Sequence, residues 1–196
     1  MVKIVQNGDP VLRATAPEVA LSDIKSVKVK KVIRDMKKSL ATQRDGVAIA
    51  APQIGVSLRI FVVSGKIFDE SWKKGDALPD SKNPMPEDLV FINPEITKLS
   101  KTKKWMHEGC LSVRPLWGEV ERSTHATVVA YDESGKKFTR GAAGLLAHIF
   151  QHETDHLDGI LFIDRARNVA PGIIPDDAMK HAAAPTKKKP AKKVSK

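Results

Sequence analysis

At 196 residues with 41% apolar side chains, the chain can bury one substantial core and is short for several ordinary domains. Its single cysteine excludes an intrachain disulfide and fits a reducing compartment or a cysteine kept for chemistry, and the expected setting is cytoplasmic; no stretch approaches the roughly 20 apolar residues of a membrane span, and the opening MVKIVQNGDP has no apolar run of signal-peptide length. The net charge of +10 is concentrated at one end: six lysines and no acid lie between Lys187 and Lys196, so residues 1–186 carry only 27 basic side chains against 23 acidic ones.

Asp9-Pro10 and Ala16-Pro17 punctuate an irregular start. A helix is predicted over residues 24–42, with Asp23 as its cap, Val29, Ile33, Met36 and Leu40 as its buried stripe, and its lysines facing water. Residues 46–55, GVAIAAPQIG, are small side chains bounded by glycines and a proline. Such a segment permits close backbone approach, by a ligand or by a packed helix. Gln53 is its one polar side chain, suited to donating to an oxyanion or to holding backbone. A strand is predicted at 58–63, then a surface loop, rim or lid over 66–88 with Gly75, Pro79, Pro84 and Pro86. Extended segments follow at 89–93 and, past Pro94, at 95–99. Two more are predicted within 120–131 and a short return at 137–140 after the turn Asp132-Glu133-Ser134-Gly135. Strands grouped between two helices make the fold class α+β.

The second helix carries the densest chemistry, AHIFQHETDHLDG over 147–159. Leu145, Ile149, His152 and His156 form one track and Leu146, Phe150 and Leu157 another, so the helix is expected to run through the core until Gly159 ends it. His152 and His156 are one turn apart on a common face, where two imidazoles can share a metal ion. Glu153 lies about 100° round the helix from His152, placed to reach a metal-bound water without being a ligand. The same pattern also suits a buried helix whose histidines bond to backbone. If a metal is bound, two histidines leave it short of a protein ligand. The extended H-E-x-x-H-x-x-G-x-x-H pattern would put the next histidine at 162, which is Phe162, and no glutamate follows Glu153. Cys110, in Glu108-Gly109-Cys110-Leu111-Ser112, is the natural third donor, unless it is an inert buried thiol.

Three segments in this order, 46–53, 108–112 and 151–159, resemble the motifs of the peptide deformylases, and the likeness spans roughly residues 4–168. The resemblance implies a deformylase-like fold, mostly antiparallel sheets around a central metal-binding helix, as a catalytic domain over 1–168 followed by a C-terminal extension over 169–196. It implies Cys110, His152 and His156 as ligands of one divalent ion, commonly ferrous iron, with zinc or nickel as substitutes. Glu153 matches the catalytic acid/base, Gln53 and the Leu111 N–H the oxyanion donors, and Glu108 a supporting position. Gly46, Val47, Ala48, Ile49, Gly109, Trp117, His148 and Ile149 are the expected substrate contacts. The implied reaction is removal of the formyl group from N-formylmethionine at the start of newly made peptides, as formate.

The chain departs from that family pattern at four places. Ala48 stands where the first motif ordinarily has a second glycine. Arg114 replaces a proline after the second motif, and Trp117 an arginine three residues on. His148 occupies a place usually aliphatic in the methionine-side-chain pocket. A deformylase homologue of weak or absent activity, acting as a ribosome- or RNA-associated protein, is the alternative these changes raise. The Lys-rich tail is the feature that would meet rRNA or ribosomes, through salt-screened contacts without sequence preference. A nucleic-acid-binding module has no other support, because no basic and aromatic alternation suited to stacking bases is present.

Overall fold

The computed structural model describes residues 2–69 and 85–172. Helix α1 (Val27–Ala41) is followed by β1 (Ala48–Ala50), β2 (Ile60–Val63), β3 (Leu89–Leu99), β4 (Lys103–Gly109), β5 (Leu116–Ser123), β6 (His125–Tyr131), β7 (Lys137–Ala143), helix α2 (Gly144–Leu157) and β8 (Arg167–Pro171). Five strands form one sheet in the order β1-β2-β3-β6-β7 and three form another in the order β4-β5-β8; the paired strands are antiparallel. The α+β class is as expected.

The larger sheet is covered on both faces, which explains why β2 reads as an unbroken apolar run, Ile60-Phe61-Val62-Val63. Ile60 and Val62 pack with Val29, Ile33, Met36 and Leu40 of α1. Phe61 and Val63, one residue out of phase, pack with Ala147, Ile149, Phe150 and Leu157 of α2. Phe61 stacks on Phe91 at 4.5 Å between ring centroids, and Phe150 meets Phe91 edge-on at 5.1 Å. That apolar pairing anchors α2, whose other contacts reach β5 of the smaller sheet.

Several predicted boundaries move. Helix α1 starts at Val27, and its cap is Ser26, whose Oγ accepts the Val29 N–H; Asp23 lies in the short 3-10 turn Leu21–Asp23 before it. Pro94 does not separate two strands: β3 runs through it, with the missing N–H absorbed where the register with β6 shifts between Ile92 and Glu95. Asn93 there has φ of 50°, and its amide bonds both the N–H and the carbonyl of Val19 at 2.8 Å. Strands β1, β4 and β8 were not anticipated, and β8 carries paired backbone past residue 168 to Pro171. Gly65–Phe68, at the start of the predicted loop, is a 3-10 turn. Residues 70–84 of that loop and the tail from 173 onward lie outside the described residues.

The end of α2 is as predicted. The Gly159 N–H donates to the His156 carbonyl and the Ile160 N–H to the Asp155 carbonyl, closing the helix over a left-handed Gly159 with φ of 75°.

Candidate metal centre

Cys110, His152 and His156 are brought together so that one donor atom from each lies within 4.8 Å of the others. The histidines come from successive turns of α2, their ring centroids 4.9 Å apart. Cys110 sits in the turn that follows β4, where Val113 N–H donates to its carbonyl. Its Sγ lies 3.1 Å from His156 Nε2 and accepts from the Ser112 N–H and from Gln53 Nε2, each at 3.4 Å.

Gln53 is aimed by its own backbone. It lies in the 3-10 turn Ala51–Ile54, and its Oε1 accepts the Ala50 N–H at 2.8 Å, which turns its NH₂ toward Cys110 Sγ and Ser112 Oγ. The Leu111 N–H, beside the sulfur in sequence, donates to none of the described residues.

Beneath the histidines lies a buried charge cluster. Glu108 Oε2 accepts from His152 Nδ1 at 2.8 Å, so Nε2 is the His152 nitrogen left for the cluster of donors. Arg122 Nε lies 2.6 Å from Glu108 Oε1 and another guanidinium nitrogen 3.1 Å from Oε2. A third donates to Asp155 at 2.6 Å, and Asp155 also meets Arg165 at 3.3 Å. Burial opposes ionisation of Glu108, but the charge of His148 and the hydrogen bonds of His148 and His152 outweigh it and hold the carboxyl well below its ordinary range. Burial likewise opposes a charge on His152, yet Cys110 and Glu108 raise its pKa well above the ordinary value. Positive charge is thus favoured beside the sulfur, and His152 must lose its Nε2 proton before that nitrogen can serve as a ligand. His156, by contrast, is held well below its ordinary range by burial and by the neighbouring His152, which leaves it neutral as a ligand requires.

Glu153 is 3% exposed, and its Oε2 has no hydrogen-bond partner among the described residues. Burial pushes its carboxyl up to about 7, against the attraction of His152 and with the repulsion of Glu108. A carboxylate without a partner beside a cation site is free to exchange a proton with a reacting group.

The expected substrate positions divide. Gly46 is tightly packed: a Cβ there would meet Gln43 at 2.9 Å, Leu40 at 3.1 Å and Leu111 at 3.2 Å. Val47 is half-buried, and Ala48 opens β1, an edge strand of the larger sheet. The side chains of Ile49 and Ile149 are sunk in the two cores on opposite faces of that sheet, which leaves them little surface for a ligand. Trp117 lies on β5 directly across from Gly109, half-buried and 5.4 Å from the His107 ring. His148 is buried, with Nε2 2.5 Å from Glu108 Oε1.

Sequence reading missed Arg122, Asp155, Ser112 and Gln151. Arg122 did leave a signal, since on β5 it shares the inward face with Val120, and a charge at a core position demands a partner. Gln151 bonds both the N–H and the carbonyl of Ser123, at 3.0 and 2.9 Å, fixing the roll of α2 against the end of β5.

The profile of the polypeptide deformylase family matches residues 1–171. A peptide deformylase of Desulforudis audaxviator (strain MP104C) is 41% identical over 169 residues, which cover 85% of this chain and 94% of that protein. Among solved structures, a peptide deformylase from Synechococcus elongatus in complex with actinonin is 34% identical with a TM-score of 0.68, covering 85% of this chain and 79% of its own. A class I type b peptide deformylase from Acinetobacter baumannii with Met-Ala-Ser bound is 31% identical with a TM-score of 0.70, covering 84% and 99%.

Proposed function

The chain belongs to the peptide deformylase family, and from that premise we propose that it removes the formyl group from N-formylmethionyl peptides with Cys110, His152 and His156 holding one divalent ion. The observation that carries this reading is the convergence of those three donors within 4.8 Å beside a buried, unpartnered Glu153 oxygen. When bound, such an ion supplies Lewis acidity that makes a water acidic enough to attack at neutral pH. A thiolate with two imidazoles can hold ferrous iron or zinc without choosing between them; the working ion we propose, from the family resemblance, is ferrous iron, with zinc or nickel as substitutes.

The residues of the chain then have separate tasks. Glu153 takes the proton of the attacking water at its open Oε2 and returns it to the departing amine. Gln53 Nε2, turned toward the sulfur by the Ala50 N–H, and the Leu111 N–H donate to the oxyanion that forms on the formyl oxygen. The peptide lies extended along β1, whose outer edge pairs with no other strand among the described residues. Gly46 and Val47 lead into that edge and Gly109 and Trp117 stand on the strands of the second motif.

Among the described residues no helix is long and apolar enough to cross a membrane. The setting we propose is the cytoplasm, where newly made peptides appear, with the lysines from Lys187 onward holding the enzyme near ribosomal RNA.

The test is formate release from an N-formylmethionyl dipeptide by protein purified without air, with its metal content measured alongside. Turnover at one ion per chain, lost on chelation and restored by ferrous iron, is expected. Metal-loaded protein that releases no formate would leave a deformylase fold without the activity.

A further inference from the structure

Histidines recur every four residues along one face of α2, at 148, 152 and 156, and the structure gives them different work. His156 meets the Cys110 sulfur at 3.1 Å. His152 bonds Glu108 through Nδ1. His148 Nε2 lies 2.5 Å from the other oxygen of the same carboxylate, and His148 is not among the three residues, Cys110, His152 and His156, whose donor atoms converge. We propose that His148 is a positioning residue for the metal centre: it locks the Glu108 carboxylate whose opposite oxygen orients the His152 ring. The proposal rests on the assignment of Cys110, His152 and His156 as ligands.

The geometry around Glu108 supports this role. Each carboxylate oxygen has two donors: Oε1 has Arg122 Nε and His148, and Oε2 has a terminal Arg122 nitrogen and His152. Glu108 is 3% exposed, Arg122 3% and His148 7%, so solvent has little access to replace a lost partner. Arg122 holds the carboxylate from β5, while the two histidines hold it from successive turns of α2. Without His148, Oε1 keeps a single donor and the carboxylate is fixed to α2 only through His152, the ring it is supposed to orient. A side chain that lined a substrate pocket would have no need of this carboxylate. The short contact to a charged group, buried with it, makes support of the metal ligand the dominant use of the imidazole.

The test compares His148→Leu, which fills similar space without a donor, with His148→Gln, which keeps an amide N–H to offer Glu108. Zinc affinity is measured by chelator competition, and the His152 Nδ1 proton and nitrogen resonances are followed by NMR in selectively ¹⁵N-histidine-labelled protein, before and after zinc. H148L should raise the zinc dissociation constant about tenfold, within the 10–100-fold typical of losing an outer-sphere partner. It should also shift or broaden the His152 Nδ1 signals, and H148Q should recover most of both. Parental zinc affinity and His152 signals in H148L would overturn the proposal, as would equal losses in the two variants. A change confined to preference for the first side chain of the peptide would also overturn it, returning His148 to the substrate pocket. Cys110→Ala, run alongside, separates the premise from the proposal: if C110A keeps parental zinc affinity, the ligand assignment fails, while the His152 signals of metal-free protein still decide what His148 does.

Discussion

Arg122 provides the sharpest test of whether burial, rather than proximity of charges, determines what an ion pair contributes to this fold. Its guanidinium touches Glu108 at 2.6 and 3.1 Å and Asp155 at 2.6 Å, with side-chain exposures of 4% for Arg122, 2% for Glu108 and 12% for Asp155. Arg122→Met keeps the length and apolar stem but strands two carboxylates in the interior. Asp155 would keep only the longer contact to half-exposed Arg165, and Glu108 only its histidines. Removing one partner of a buried ion pair typically costs about 3–5 kcal/mol, because the remaining charge has lost its compensation without regaining water. Arg13 and Asp164 form an internal control. They approach to 2.5 Å, closer than any Arg122 contact, but are 42% and 37% exposed, and such pairs are worth about 0–1 kcal/mol. Urea denaturation at pH 7 of R122M and R13M, with metal occupancy measured on the same samples, distinguishes them. R122M should lose several times more stability than R13M and also hold metal less tightly, since Glu108 orients His152. A loss in R122M no larger than in R13M would refute the reasoning.

Glu153→Gln should keep the ion while turnover of a formyl peptide falls toward or beyond the upper end of the 10²–10⁴-fold range typical of general acid–base catalysis, because one carboxyl serves both proton transfers; near-parental turnover at full occupancy would remove it from that role. In metal-free protein the same substitution should be stabilising at neutral pH. The Glu153 pKa rises from an ordinary 4.5 to about 7 on folding, so the parent has its full stability below about 4.5 and loses about 3 kcal/mol relative to E153Q as pH rises through 7; a pH-independent difference would refute this. Gly159→Ala should cost about 2 kcal/mol or more in thermal or urea unfolding, since φ is 75° and the new Cβ would stand 2.6 Å from the Arg13 carbonyl oxygen; a cost under about 0.5 kcal/mol would show that the turn yields. Deleting residues 186–196 should leave small-peptide turnover unchanged and weaken ribosome or RNA binding chiefly at low salt; binding unaltered across a salt series would reject docking through the lysines.

The parts of this fold that were legible in the sequence are those where one local signal dominates. Helix α2 has two apolar tracks and a glycine stop, and β2 has four apolar residues in succession. Strand β4, Lys103–Gly109, was missed because its early residues are exposed and Glu108 is its one fully buried side chain, a carboxylate. Strand β1 is only three residues, Ala48-Ile49-Ala50, whose extended form comes from pairing with β2, a contact invisible to local propensity. The start of α1 was misplaced by three residues because Asp23 and Ser26 are both good caps, and tertiary packing selects between them. At the site, the helical spacing of His152, Glu153 and His156 could be read directly, whereas the third donor and the partners of Glu108 depend on how β4 and β5 lie against α2. Ile149, an expected substrate contact, has its side chain in the apolar core packed against the larger sheet.

Hydrogen-bond accounting along α2 separates the residues that build the site from those that use it. The helix buries His148, Gln151, Glu153, Thr154, Asp155 and His156, with His152 half-buried, an unusual polar load for an element packed between two sheets. Such groups are tolerated when each finds a partner. His148 and His152 find Glu108, Gln151 finds Ser123 and Asp155 finds Arg122, and these contacts hold the helix in one rotational setting. Among the described residues three buried side-chain atoms have no partner: Glu153 Oε2, His156 Nδ1 and Thr154 Oγ1. The first belongs to the residue proposed to move protons and the second to a proposed ligand, while Thr154 lines the cleft with Arg59 and Asp158. Satisfying Glu153 with a fixed donor would stabilise the folded chain and remove the free oxygen that proton transfer needs. The destabilisation expected from Glu153 above pH 7 is therefore the energetic counterpart of its proposed chemistry, and activity and stability should move in opposite directions when that carboxyl is replaced.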